Sequence, residues 1–318
     1  MKELSEIKLV IVAGPTASGK SALGMALAEE FGGMVINADS MQVYRDLEIL
    51  TARPGPEDMA RVPHRLYGVI DGAELCSAAR WRDLALEAIE EALGQGRVPI
   101  LVGGTGLYLR TLLFGIAAVP EISAEARTQS RALHEELGGV RFREALAKRD
   151  PEAAARLAAG DSQRLMRAYE VVVGTGRSLA SWQQEQVAET RFRTAMIVVM
   201  PPREALYKAC DGRFETMMRR GALDEVRRLR ARNLDPALPV MKALGVPELT
   251  RLLGREIKEA EAVSSAQRAT RNYAKRQITW FRNQLPASDR LDKLIIDAQL
   301  SESFLPDSFS FIRRFLLT

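Results

Sequence analysis

Residues 8–21 read KLVIVAGPTASGKS, and this stretch decides the fold. Lys8 to Ala13 is a short β-branched run that ends at glycine. From Lys20 to Phe31 the apolar residues Leu23, Leu27 and Phe31 recur at helical spacing. The order is therefore strand, loop, helix. The loop itself, Gly14-Pro15-Thr16-Ala17-Ser18-Gly19-Lys20-Ser21, matches G-x-x-x-x-G-K-[ST] in the context that motif requires. Its glycines let successive backbone N–H groups turn inward around a phosphate, and the following helix adds its positive end. Lys20 supplies a mobile cation, and the Ser21 hydroxyl can ligate Mg²⁺. A diphosphate or triphosphate site follows.

Further along, Met34 to Ala38 reads as a second strand closing at Asp39, and Val98 to Val102 as a third ending in Gly103-Gly104. Between them Ser77 is placed to cap a helix with Trp81, Leu84, Ala88 and Leu93 on its inner face. Strands alternating with helices imply a parallel sheet with functional loops at the carboxyl ends of its strands. From residue 120 to 193 the strand signals vanish. Asp150-Pro151 opens one helix there, and Asp161 opens another that Gly174 is expected to close. Ala195 to Met200 returns to the strand pattern, ahead of a mostly helical C-terminal part. The expected class is α/β: a P-loop NTPase-like parallel core, residues 1–119 and 194–318, with an inserted all-helical subdomain, residues 120–193.

Composition is that of an ordinary globular protein: 318 residues, 47% apolar, with a net charge of +4. No apolar run approaches the roughly 20 residues that span a bilayer, and residues 1–8 carry no signal-peptide pattern. A soluble, cytoplasmic protein without a membrane partner is expected. Cys76 and Cys210 lack zinc-site spacing and read as structural thiols. The positive charge is concentrated: residues 268–282 hold five basic residues and no acidic one, which suits either a solvated face or a phosphate backbone.

The phosphate loop leaves open which molecule owns the phosphates. A kinase would place a carboxylate at the end of a further apolar strand to hold Mg²⁺. Here the third strand ends in Gly103-Gly104-Thr105-Gly106, which offers only backbone donors and a hydroxyl, whereas the second ends in Asp39. A small-molecule or nucleotide kinase and an RNA-binding module with an anion clamp are the rival readings.

Taken in order, GPTASGKS, then Ala38 to Tyr44 (ADSMQVY), Val62 to His64 (VPH), Leu101 to Leu109 (LVGGTGLYL), Asp161 to Val171 (DSQRLMRAYEV) and Ala274 to Arg282 (AKRQITWFR) resemble the signature segments of bacterial tRNA dimethylallyltransferases, also called isopentenyl-diphosphate:tRNA isopentenyltransferases. The resemblance covers essentially the whole chain. It implies transfer of a dimethylallyl group from dimethylallyl diphosphate to N6 of the adenine at tRNA position 37. Lys20, the loop backbone and Mg²⁺ would hold the departing diphosphate, and Asp39 matches the family's general base, with a metal ligand or helix cap as its bland alternatives. Thr16 and Thr105 match positions lining the reaction channel. Arg127 matches an arginine that reaches the reaction centre, although Ala126 stands where the family usually has valine. Arg213 is a candidate for the diphosphate.

For the tRNA anticodon stem-loop the resemblance implies contacts from Asp39, Ser40, Met41, Gln42 and Thr105, from Arg127, from Gln163, Arg164, Leu165, Met166 and Arg167, and from Arg276. Ser162 replaces a family proline, and Leu50 stands before Thr51 where a glycine is common. A monomer is expected. Of the two histidines, His64 matches the family and His134 reads as a surface residue.

Overall fold

The protein is described from a computed structural model that covers residues 6–185, 191–285 and 288–318. It divides into two compact units, residues 1–113 with 190–318 and residues 114–189.

The first unit is built on six parallel strands: β1 (Ile7–Ala13), β2 (Gly33–Asn37), β3 (His64–Arg65), β4 (Val98–Gly103), β5 (Phe192–Val199) and β6 (Leu291–Ile296), in the spatial order β3-β2-β4-β1-β5-β6. β1 lies centrally, with Val12 opposite Val102 of β4 and Ile197 of β5. Residues 9–13 are wholly buried, as expected for a parallel strand covered on both faces. Because β1 is central, the loop after it opens at the carboxyl edge of the sheet, where open α/β folds bind ligands.

The helix predicted from Lys20 runs from Lys20 to Glu30. Ser77 caps the helix Ala78–Gly94, its hydroxyl accepting from the Arg80 N–H at 3.1 Å. Its buried face is Trp81, Ala85, Ala88, Ile89 and Ala92, so the expected stripe is rotated: Leu84 is only half-buried and Leu93 is exposed. Small alanines face the sheet there because the helix lies close to it. β6 escaped the sequence reading. It is an edge strand whose Asp292 and Lys293 break the apolar pattern, as charges on edges commonly do.

The regular elements of the second unit, among its described residues, are all helices: Ala124–Ala147, with Gly138 at φ 67° joining two segments, then Pro151–Arg156, Ser162–Thr175 and Leu179–Gln184. Asp150 Oδ1 caps the second by accepting from the Ala153 N–H at 2.9 Å. The third helix continues past Gly174 and ends at Gly176, whose φ of 71° supplies the left-handed cap. Phe142, Leu146, Ala153, Ala154, Leu165 and Ala168 form its core. His134 is half-buried rather than a surface residue, with its ring 5.1 Å from that of Phe142 and its Nε2 buried. No helix among the described residues is long and apolar enough to cross a membrane.

Candidate active site

The loop after β1 is strained and tied down. Ala17 sits at φ 63°, a conformation that costs a non-glycine residue energy and persists only where neighbours over-determine it. Here the Gln299 Nε2 donates to the Ala17 carbonyl at 3.1 Å. On the opposite side Gln277, buried in the helix Glu259–Asn283, makes a double clamp. Its Oε1 accepts from the Thr16 N–H and its Nε2 donates to the Gly104 carbonyl, both at 2.8 Å. One amide thus joins the phosphate loop to the glycine loop after β4. At its first position that loop admits no side chain: a Cβ on Gly103 would stand 2.1 Å from the Ala38 carbonyl oxygen.

The end of β2 is organised around Asn37. Its Oδ1 accepts from the Asp39 N–H at 2.9 Å and its Nδ2 donates to the Leu66 carbonyl at 3.0 Å. Asp39 Oδ1 in turn accepts from the Met41 N–H at 2.9 Å. Among the described residues no donor holds its second oxygen. Thr105 bridges the two loops, its hydroxyl accepting from the Ser40 N–H at 2.9 Å and lying 3.3 Å from the Ser40 hydroxyl.

These segments converge on a cavity of about 260 Å³ lined by Thr16, Asp39, Ser40, Met41, Leu50, Thr51, Arg213, Tyr273 and Arg276, and by Lys242 to Leu244. The guanidinium of Arg213 donates to the Thr16 hydroxyl. Charges in this pocket act on one another at short range. Burial pulls the Lys20 ammonium down to about 8, against the opposing pull of Asp39, and Arg213 lowers it further. Burial also lowers Arg213, with Cys210 and Asp39 resisting. The hydroxyls of Tyr273 and Tyr67 are pushed well above their usual range by burial and then by the Asp39 carboxylate. The Asp39 carboxylate thus lies within electrostatic reach of two buried cations and two buried phenols.

The structure gathers Thr16, Asp39, Ser40, Met41, Arg213 and Arg276 around one cavity and sets Thr105 directly behind Ser40. Other expectations need correction. Gln42 does not face this cavity: its Nε2 donates to the carbonyls of Thr51 and Ala52 at 2.9 and 3.0 Å, so it holds a loop. Ser21 is exposed and lines a separate cleft of about 440 Å³ with His64, Tyr67 and Arg220. Arg271, set beside Arg276 in the basic run, is bound at 2.6 and 2.7 Å to the two oxygens of Asp211.

Within the helical unit, Leu165 is fully buried in the core and Met166 packs against it. Direct RNA contact by the Leu165 side chain is therefore withdrawn. Gln163, Arg164 and Arg167 are exposed on the same helix, and Arg164 has only a 3.4 Å pairing with Asp161 one turn back. Arg127 is exposed. Burial pushes the Glu170 carboxyl up against the opposing charges of Arg167, Arg127 and Arg131, which therefore lie within electrostatic reach of it.

Gln277, Tyr273 and the Leu50-Thr51 wall were not singled out from sequence as parts of the cavity. A buried glutamine within a helix carries no spacing signal that separates it from an exposed one.

A parallel sheet with a phosphate-binding loop after its central strand, and a carboxylate and an arginine meeting beside that loop, defines a P-loop-like α/β enzyme. Residues 42–284 match the model of the IPP transferase family. A curated tRNA dimethylallyltransferase of Rhodospirillum rubrum is 54% identical over 312 residues, covering 98% of this chain and 95% of that one. Among solved structures, the full-length tRNA isopentenylpyrophosphate transferase of Bacillus halodurans is 31% identical with a TM-score of 0.68, over 98% and 97% of the two chains. A eukaryotic dimethylallyltransferase solved acting on tRNA is 28% identical with a TM-score of 0.80, over 97% and 77%. The chain belongs to the IPP transferase family, the tRNA dimethylallyltransferases.

Proposed function

We propose that the protein transfers the dimethylallyl group of dimethylallyl diphosphate to N6 of the adenine at tRNA position 37, releasing diphosphate. The observation that carries this reading is the Asp39 carboxylate, with one oxygen free of donors among the described residues, on the same small cavity as Thr16 and Arg213. A flipped-out base answers a physical need, since a stacked exocyclic amine cannot reach an allylic carbon in a closed pocket. N6 attacks C1 of the donor, the C1–O bond to the diphosphate breaks, and Asp39 receives the N6 proton as general base. Lys20, Arg213 and the loop N–H groups stabilise the charge that gathers on the leaving diphosphate. Thr105 and Ser40 fix the loop that presents Asp39.

Mg²⁺ fits the donor set. Among the described residues there is no cluster of three or more His, Cys, Asp or Glu. The protein's own ligand would be the exposed Ser21 hydroxyl, at the start of the helix after the phosphate loop and reached from the cleft of His64 and Tyr67 rather than from the Asp39 cavity. Mg²⁺ commonly binds in this way, with substrate phosphates and water completing its shell. Bound there, it would neutralise diphosphate charge as a Lewis acid. The exposed Arg127 and Arg167 of the helical unit, together with Gln163 and Arg164, supply forked donors suited to anticodon-loop phosphates and bases. A tRNA substrate places the enzyme in the cytoplasm, and one chain carries the whole cavity, in keeping with a monomer.

The deciding experiment is transfer of label from radiolabelled dimethylallyl diphosphate to unmodified tRNA with Mg²⁺ and no ATP, with γ-phosphate release from ATP assayed in parallel. Label on N6 of adenine 37 supports the proposal, whereas ATP consumption without label would replace it with a kinase.

Two further outcomes are expected. Diphosphate affinity is highest below about pH 8 and weakens as pH rises through that value. The reason is that Lys20, lowered to about 8 by burial, loses the charge that the anion needs. Titration calorimetry with inorganic diphosphate from pH 7 to 9.5 reads this as the difference between wild type and Lys20→Met, since the ligand's own ionisation in that window is common to both, and the variant should also lose most of the affinity. In the helical unit, Arg164→Ala weakens tRNA binding and lowers the slope of log affinity against log salt by about one phosphate contact. An unchanged slope would place Arg164 away from the RNA.

A further inference from the structure

We infer that Glu225 is a positioning residue for the transfer reaction, seating the cavity wall by occupying a backbone anion nest. Glu225 lies in the first turn of the helix Ala222–Ala231 and is 3% exposed. Its two carboxylate oxygens accept three consecutive backbone N–H groups, from Glu48 at 2.7 Å, Ile49 at 2.8 Å and Leu50 at 2.9 Å. Successive N–H groups converging on one point form an anion-binding concavity, and here a side chain from 175 residues away fills it.

What this nest holds is the segment that walls the cavity. Leu50 and Thr51 line it beside Asp39, and Ala52 follows at φ 52°, a strained turn that needs outside support. Support comes from two directions. Gln42 takes the carbonyls of Thr51 and Ala52, while Glu225 takes the N–H groups before them. The same helix is tied again past its far end, where Arg232 pairs with Asp46 and, at 2.7 Å, with Asp71. The helix thus grips the loop at both ends, and of the two grips only Glu225 acts on the residues that face the cavity. Leu50 lines the cavity on the same wall as Thr51, so its seating shapes the space beside Asp39 where the base reacts.

The inference rests on the transferase reading, and its test separates the two. In Glu225→Ala the amides of Glu48, Ile49 and Leu50 should exchange with solvent deuterium at least tenfold faster, with β1 and β4 unchanged. The single-turnover rate of transfer to an anticodon stem-loop should fall by about 100-fold, the scale on which roughly 1 Å of misplacement acts, with the affinity for inorganic diphosphate within twofold of wild type. Added formate should restore part of both the protection and the rate by refilling the nest. Should the alanine variant fail to fold, Glu225→Gln keeps one acceptor oxygen and gives a smaller loss in the same direction. Unchanged amide exchange, or loosened amides with an unchanged transfer rate, would overturn the positioning role. If the wild-type protein transfers no label, the transferase reading fails, and the exchange and formate arms alone decide whether Glu225 seats the loop.

Discussion

Asp39→Asn lowers the single-turnover rate of dimethylallyl transfer by about 100-fold or more, the usual scale for losing a general base, while tRNA and diphosphate affinities stay close to wild type. Asparagine retains the Oδ1 that accepts the Met41 N–H and therefore preserves the turn after β2. What disappears is the capacity to take a proton from the adenine amine. That amine is a weak nucleophile because its lone pair is delocalised into the ring, so bond formation and proton loss must be coupled. Removing a negative charge beside Lys20 and Arg213 has a second consequence. The pocket loses an anion that repels diphosphate, but Lys20 also loses the carboxylate that holds its ammonium up, so these influences oppose one another and diphosphate binding near neutral pH changes little. Rapid-quench measurement of product against time, with enzyme in excess, separates the two effects. A variant with a near wild-type single-turnover rate would remove Asp39 from the mechanism.

The second large effect is expected at Gln277, which touches no substrate in the proposed reaction. Gln277→Ala strips the Thr16 N–H and the Gly104 carbonyl of their partners inside the molecule. Each buried polar group left without a partner costs about 1–3 kcal/mol, so the variant should lose on the order of 2–5 kcal/mol in urea unfolding. Its diphosphate affinity should fall as well, because the loops after β1 and β4 are no longer held in register by a common side chain. Gln277→Glu is a sharper comparison. It keeps the acceptor for Thr16 but offers no donor to Gly104, and it places a carboxylate against the anion site. If both variants unfold at the wild-type urea concentration and bind diphosphate normally, the clamp has no energetic role.

How much of this was legible beforehand varies by residue. The phosphate loop could be read from GPTASGKS because its chemistry is local: glycines at fixed offsets, a lysine and a hydroxyl between a strand and a helix. Asp39 could be read as the carboxylate ending the second strand. On the helix Ala78–Gly94 the expected Trp81 and Ala88 are buried, whereas Ala85, Ile89 and Ala92 take the places that spacing gave to Leu84 and Leu93. Leu165 and Gln42 were assigned to RNA through their segments. Burial turns one into core and hydrogen bonding turns the other into a brace, and neither follows from a motif.

The amino-acid sequence by itself determined the strand-loop-helix start, the parallel α/β class, the helical insertion and the family. All of these rest on short-range patterns of apolar periodicity, turn residues and loop chemistry. Tertiary structure alone decided that Gln277, 261 residues from Thr16, fastens the phosphate loop, that Glu225 fills a nest in residues 48–50, and that Arg213 turns into the cavity of Asp39. These contacts join residues far apart in the chain, and their strength comes from burial, which no single stretch of sequence records.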